Sequence, residues 1–146
     1  MDRYSALYTI VDHNDKREKS LPEPGSAGLE RCRKGRLGET VVAGLLESEG
    51  YTILDRNFRA GPGEIDLVAR RGTVIVFVEV KNWYSLGVLD LEFAIGRDKR
   101  RRMIETSKIF LHLHRQYNEA CIRYDVFLMR GGNVAGRYES AFAGVV

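Results

Sequence analysis

Two apolar, β-branched runs flank a polar turn ending in Gly72, and this pattern over Gly63–Lys81 predicts a β-hairpin. Side chains alternate along a strand, so Glu64, Asp66 and Val68 share one face of the first run. Ile75, Phe77, Glu79 and Lys81 share one face of the second. With Arg71 and Gly72 as the central turn residues, Arg70 pairs with Thr73. Glu64 then lies opposite Glu79, while Asp66 lies opposite Phe77 and diagonal to Glu79. In that register Glu64, Asp66, Glu79 and Lys81 converge on one face. A slip of one residue sends Glu79 and Lys81 to the other face.

The flanking patterns predict the other elements. A helix starting at Ala27 or Leu37 runs to Glu49, with Val41, Val42, Leu45 and Leu46 as its apolar stripe and Gly50 as its stop. Glu39 lies on the buried side of that helix, where it also suits a helix N-terminus. Tyr51–Phe58 reads as a strand, joined to the hairpin by the tight connection Ala60-Gly61-Pro62-Gly63. Gly63 either permits close approach of a phosphate backbone or serves only the turn. Leu89–Ile95 reads as a short helical turn. Arg97 to about His114 is a helix with Met103, Ser107, Phe110, Leu111 and His114 at helical spacing. Ile122–Met129 is a strand, Arg130–Asn133 a turn and Val134–Phe142 an edge strand. The fold class is α/β, a mixed central sheet with helices on its faces.

Acids on an apolar hairpin change the picture, because like charges side by side in such surroundings are costly. A divalent cation is one remedy. Hard oxygen ligands select Mg²⁺ or a similar ion, bound through one or two carboxylates together with water and phosphate oxygens. Lys81 then orients the attacking water or steadies charge developing on a phosphate. The competing reading is a solvated polar face of a two-sided sheet. It fits an isolated Glu-x-Lys better than Glu79, which is embedded in Val-Ile-Val-Phe-Val with two acids facing it.

A chain of 146 residues with 44% hydrophobic content suits one globular domain. The expected division is a polar N-terminal extension over 1–25 and a single domain over 26–146. No apolar run is long enough to span a membrane, and residues 1–6 lack the features of a signal peptide, so a cytoplasmic location is expected. His13 beside Asp12 and Asp15 reads as solvated tail. Cys32 and Cys121 lack metal-ligand spacing and read as reduced structural thiols. The formal charge is only +3, but basic residues cluster at Arg31–Arg36, Arg56 and Arg59, Arg70 and Arg71, and Arg97–Arg102. Each cluster serves either solubility or a polyanion.

The hairpin resembles the restriction-endonuclease-like nuclease superfamily, whose signature is an acid, a spacer, then acid-x-lysine on paired strands. More closely, the chain resembles the YraN-like family of small bacterial proteins. The resemblance rests on Leu37-Gly38-Glu39, Gly50–Leu54 with Arg56-Asn57, Gly63–Leu67, Val78-Glu79-Val80-Lys81, Lys99 and Arg123–Val126. It covers about two thirds of the chain and leaves out the N-terminal extension. It implies an αβββαβ core and a Mg²⁺- or Mn²⁺-dependent, endonuclease-like phosphodiesterase acting on DNA, including branched or damaged forms as a Holliday-junction resolvase does. On this reading Asp66, Glu79 and the Val80 carbonyl hold the metal, Lys81 prepares the water and Glu39 supports metal or water. Glu64 is a weaker candidate. Gly63, Lys99, Arg100 and Arg101 would contact the nucleic acid, the last three from a cationic helix N-terminus. Asp125 matches the family but also suits a buried pair with Arg123. Asn82-Trp83 departs from the Thr-Arg usual after the lysine, which removes one phosphate contact; Trp83 and Tyr84 read better as packing than as base-stacking groups. The partners implied are nucleic acid and no membrane, with a homodimer as a possible assembly. The rival class is a non-catalytic nucleic-acid-binding or assembly module of the same fold.

Overall fold

The computed structural model describes residues 26–82 and 95–144. Helix α1 (Ser26–Ser48) leads into strand β1 (Thr52–Ala60), the hairpin strands β2 (Gly63–Arg71) and β3 (Val74–Asn82), and helix α2 (Arg97–Leu113). A short 3-10 turn at Arg115–Tyr117 precedes β4 (Cys121–Arg130) and β5 (Asn133–Phe142). The sheet order is β1-β2-β3-β4-β5. Its neighbours are antiparallel except for β3 and β4, which are parallel and so need the crossover that contains α2.

The mixed α/β sheet expected from the pattern is thus present, with a helix on each face. Val42, Ala43 and Leu46 of α1 pack on Leu67, Ala69, Val76, Val78, Phe127 and Met129. On the other face Met103 and Phe110 of α2 pack on Val68, Ile75, Phe77, Tyr124, Val126 and Leu128. Phe110 meets Phe58 and Phe77 edge-on, with ring centroids 5.2 and 5.7 Å apart. Helix α1 ends in a Schellman motif, Tyr51 N–H donating to the Leu46 carbonyl and Gly50 N–H to that of Glu47.

The structure corrects two details of the sequence reading. Val41 is exposed, because Val42 and Leu46 centre the buried stripe and Val41 lies about 100° around the helix from Val42. The hairpin turn is Gly72–Thr73 rather than Arg71–Gly72, since Arg71 pairs with Val74. The cause is local: Gly72 alone takes positive φ, +59°, at the first central position, whereas the other turn demands it of Arg71 as well. The register therefore moves by two residues. Along the paired stretch the faces are kept, and Asp66 rather than Glu64 now comes level with Glu79; beside Asp66 the alternation breaks, since Ile65 packs with the α2 cluster and Leu67 with the α1 cluster.

Readings placed on residues 1–25 (the extension, His13) and 83–94 (Trp83, Tyr84, most of the short helical turn) lie outside the described residues. Among the described residues no helix is long and apolar enough to cross a membrane. Cys32 and Cys121 are both free thiols, and both are exposed.

Candidate metal centre

Strand β2 stays paired with β1 as far as Gly63, and β3 stays paired with β4 as far as Asn82. Between themselves, however, β2 and β3 are paired only from Arg71↔Val74 to Leu67↔Val78. Beyond that point the sheet opens along its middle. Glu64 and Asp66 line one lip, Glu79 and Lys81 the other. The opening lies at the carboxyl end of β3, where open α/β sheets with parallel strands place their ligands.

The Asp66 carboxylate takes the place of a ladder partner. Its Oδ2 accepts the Val80 N–H at 2.7 Å. Burial, and next the neighbouring Glu79 carboxylate, push the Asp66 pKa up to about 7; the Val80 bond and Lys99 oppose the shift. Glu79 is only 5% exposed. Its Oε2 lies 2.9 Å from Lys99 Nζ, yet that oxygen has no hydrogen-bond partner of proper geometry among the described residues. Lys99 reaches in from the first turn of α2 and also approaches the Glu64 carbonyl at 3.4 Å.

Helix α1 brings Glu39 to the same opening. Its Oε2 accepts from Asn57 Nδ2 at 3.0 Å, and Asn57 sits in β1 with a φ of +53°. Burial raises the Glu39 pKa, Asn57 lowers it, and Asp66 and Glu64 raise it further, so these three acids share one field. Gly38 lets the helix come this close, since a Cβ there would meet Met129 Cγ at 3.3 Å and Val80 Cγ1 at 3.5 Å. Lys81 is exposed, and its side chain is unpaired among the described residues.

The other predicted contacts separate. Gly63 is a packing glycine: a Cβ would meet Thr106 Oγ1 at 3.0 Å and Arg102 Cβ at 3.1 Å. Arg100 turns toward β5, with its guanidinium 5.9 Å from the Phe142 ring centre and its Nε bonded to the Ile95 carbonyl. Arg101 is exposed and pairs with Asp98 at 3.6 Å. Consecutive helix residues point about 100° apart, so Arg100 and Arg101 leave the face from which Lys99 reaches the opening. Asp125 is buried and gripped by Arg123 through two bonds of 2.9 and 2.8 Å, away from the acids. Sequence reasoning missed Asn57. Its signal was a side-chain amide inside a strand, at a residue type that tolerates positive φ.

The family model described as "Uncharacterised protein family UPF0102" matches residues 38–129. The chain belongs to this family. A UPF0102 protein of Treponema pallidum (strain Nichols) is 43% identical over 96 residues, 66% of this chain and 76% of that protein. Another, from Mesorhizobium japonicum, is 36% identical over 121 residues, covering 83% and 95%. A third, from Clostridium perfringens (strain 13), is 36% identical over 108 residues, covering 74% and 88%. The UPF0102 match starts one residue before Glu39 and takes in Asp66, Glu79, Lys81 and Lys99, so the opening lies within the family region.

Among the described residues no three His, Cys, Asp or Glu side chains cluster tightly enough to hold a metal alone. The donor set nonetheless fits a magnesium-like ion, which uses one or two carboxylates and takes its remaining oxygens from water and substrate. The under-bonded, buried Glu79 Oε2 is an acceptor that such an ion would satisfy.

Proposed function

We propose that this UPF0102 protein is a metal-dependent phosphodiesterase acting on DNA, endonuclease-like and suited to branched or damaged forms, as a Holliday-junction resolvase is. The observation that carries this reading is the opening between β2 and β3, where Asp66 and Glu79 sit side by side and Glu79 Oε2 has no hydrogen-bond partner among the described residues. Asp66 and Glu79, with the Val80 carbonyl, would hold Mg²⁺ or Mn²⁺. Such an ion supplies Lewis-acid stabilisation of phosphate charge and acidifies bound water. Lys81 orients the attacking water and steadies the phosphorane-like charge. Glu39, fixed by Asn57, accepts a proton or hydrogen bond at the same opening. Glu64 lies on the rim, half-occupied by Arg59 at 3.2 Å.

One observation favours a non-catalytic nucleic-acid-binding or assembly module. The Lys99 ammonium already supplies Glu79 with a counter-charge. Incubation of linear, flapped and four-way-junction DNA, and of RNA, with Mg²⁺ or Mn²⁺ separates the two readings. Cuts made by the wild type and lost in both Glu79→Ala and Lys81→Ala are the expected result. Intact substrate throughout, with metal-independent binding retained by all three proteins, contradicts the catalytic reading for these substrates.

A further inference from the structure

A cleft of about 650 Å³ borders the opening on the side of the β1–β2 turn and the first turns of α2. Among the described residues its cations are Arg59, Lys99 and Arg102, its one acid is Glu64, and its floor is the turn Gly61-Pro62-Gly63. Three positive groups against one negative leave these described residues a net charge of +2. The site next to it, holding Asp66 and Glu79, is acidic. Lys99 stands on the boundary, 2.9 Å from Glu79 Oε2.

The cleft cations retain donors. Arg102 is exposed and unpaired among the described residues. The Arg59 side chain is 74% exposed and gives one nitrogen to Glu64, which leaves the rest of its donor fork available and fixes its direction. Among the described residues no aromatic ring lines the cleft, nor does any Asn, Gln, Ser or Thr side chain. Such a lining offers neither a stacking platform nor a donor–acceptor pattern for reading base edges, but it suits a chain of phosphates. The turn cannot grow side chains into its packing against α2, because a Cβ on Gly61 would meet Ile109 Cδ1 at 2.6 Å. The floor is therefore flat backbone clamped to the helix that carries Lys99 and Arg102.

We propose that this cleft is a sequence-independent binding site for the phosphodiester backbone of a DNA strand, with Arg59 and Arg102 as its phosphate ligands. The strand passes from the cationic cleft across Lys99 into the acidic opening. The inference deepens the phosphodiesterase reading by assigning where the substrate strand lies beside the reacting phosphate. It does not depend on cleavage, because the cleft needs no metal to attract a polyanion.

The test is fluorescence anisotropy with labelled single-stranded, duplex and four-way-junction DNA in EDTA, at salt concentrations from about 50 to 200 mM. The Arg59→Ala/Arg102→Ala double variant is compared with wild type and with Arg70→Ala/Arg115→Ala, which removes two exposed arginines at the opposite end of the sheet. Wild type is expected to bind with an affinity that falls steeply with salt. The cleft variant should lose about 10- to 100-fold in affinity, with its log–log salt slope reduced by about two and little dependence on sequence. Circular dichroism and thermal midpoints check that all three proteins are folded. Wild-type affinity in the cleft variant, an equal loss in the distal control, or no salt-dependent binding by wild type overturns the proposal. Retained binding without cleavage by wild type overturns the phosphodiesterase reading and leaves the cleft standing.

Discussion

Two aspartates of this protein, one buried and one half-buried, are treated in opposite ways. Asp125 in β4 is wholly buried and richly compensated. Arg123 grips it through two bonds, Ser140 N–H donates to it at 3.1 Å, and Arg137 Nη2 lies 3.6 Å away while the same guanidinium's Nη1 binds Glu49, just past the end of α1, at 2.7 Å. Asp66 in β2 has one backbone donor and an acid for a neighbour, which with burial raises its pKa to about 7. The first arrangement ties two strands to the turn that follows α1 and leaves that carboxylate no need of a further cation. The second leaves charge unbalanced where the sheet opens, and perturbed acids in a cleft point to function. A buried charge by itself is uninformative; what its neighbours fail to supply is the signal.

The largest effect expected from breaking this contrast is on the compensated side. Asp125→Ala leaves Arg123 and Arg137 facing each other without their shared anion, and should cost about 3–5 kcal/mol of folding stability by urea denaturation. A cost below about 1 kcal/mol would show that the network does not hold β5 and α1 in place.

The second effect has the opposite sign. Asp66 has a folded pKa of about 7 against an ordinary 3.8, so between those values the folded state binds a proton that the unfolded state lacks. Stability contributed by this group therefore falls as pH rises from about 4 to 7, and the full penalty applies above 7. Asp66→Asn removes the penalty. In EDTA it should stabilise the protein at pH 8 by on the order of 2–4 kcal/mol, since each pKa unit is worth about 1.4 kcal/mol, and should give almost no gain at pH 4. Equal effects at the two pH values would contradict the assignment.

A smaller effect sharpens the positional side of the comparison. Gly63→Ala pushes a methyl group against Thr106 Oγ1 and Arg102 and should cost about 1–3 kcal/mol, read as a lower thermal midpoint. An unchanged midpoint would mean that α2 can shift without loss, and that Lys99 is not held at the acids by close packing.

Much of this arrangement is legible in the sequence, because strand alternation alone puts Glu64, Asp66, Glu79 and Lys81 on a common face. The register was not legible to better than two residues. Both possible turns contain Gly72, and only the conformational cost of positive φ at Arg71 decides between them. A two-residue shift keeps the faces of the paired stretch, and the opening of the sheet beyond it still brings Asp66 and Glu79 together. The Arg123–Asp125 pair was within reach because its members are two apart on one strand. Its extension to Arg137 and Glu49 was not, since those residues meet only through the pairing of β4 with β5 and the packing of α1. Lys99 as the partner of Glu79 was hidden for the same reason: helical phase can place it on a face, but not over one carboxylate. Likewise, the loss of pairing beyond Leu67↔Val78 leaves no mark in the hydrophobic pattern.

Calorimetric titration of the metal-free protein with Mn²⁺ tests most directly whether the opening between β2 and β3 is a cation site. At pH 8 the wild type should bind one ion, and Asp66→Ala and Glu79→Ala should each abolish it. Wild-type affinity should weaken as pH falls below 7, approaching tenfold per unit as Asp66 takes up its proton. Absence of Mn²⁺ binding by wild type, or binding that survives the loss of Glu79, would contradict the account.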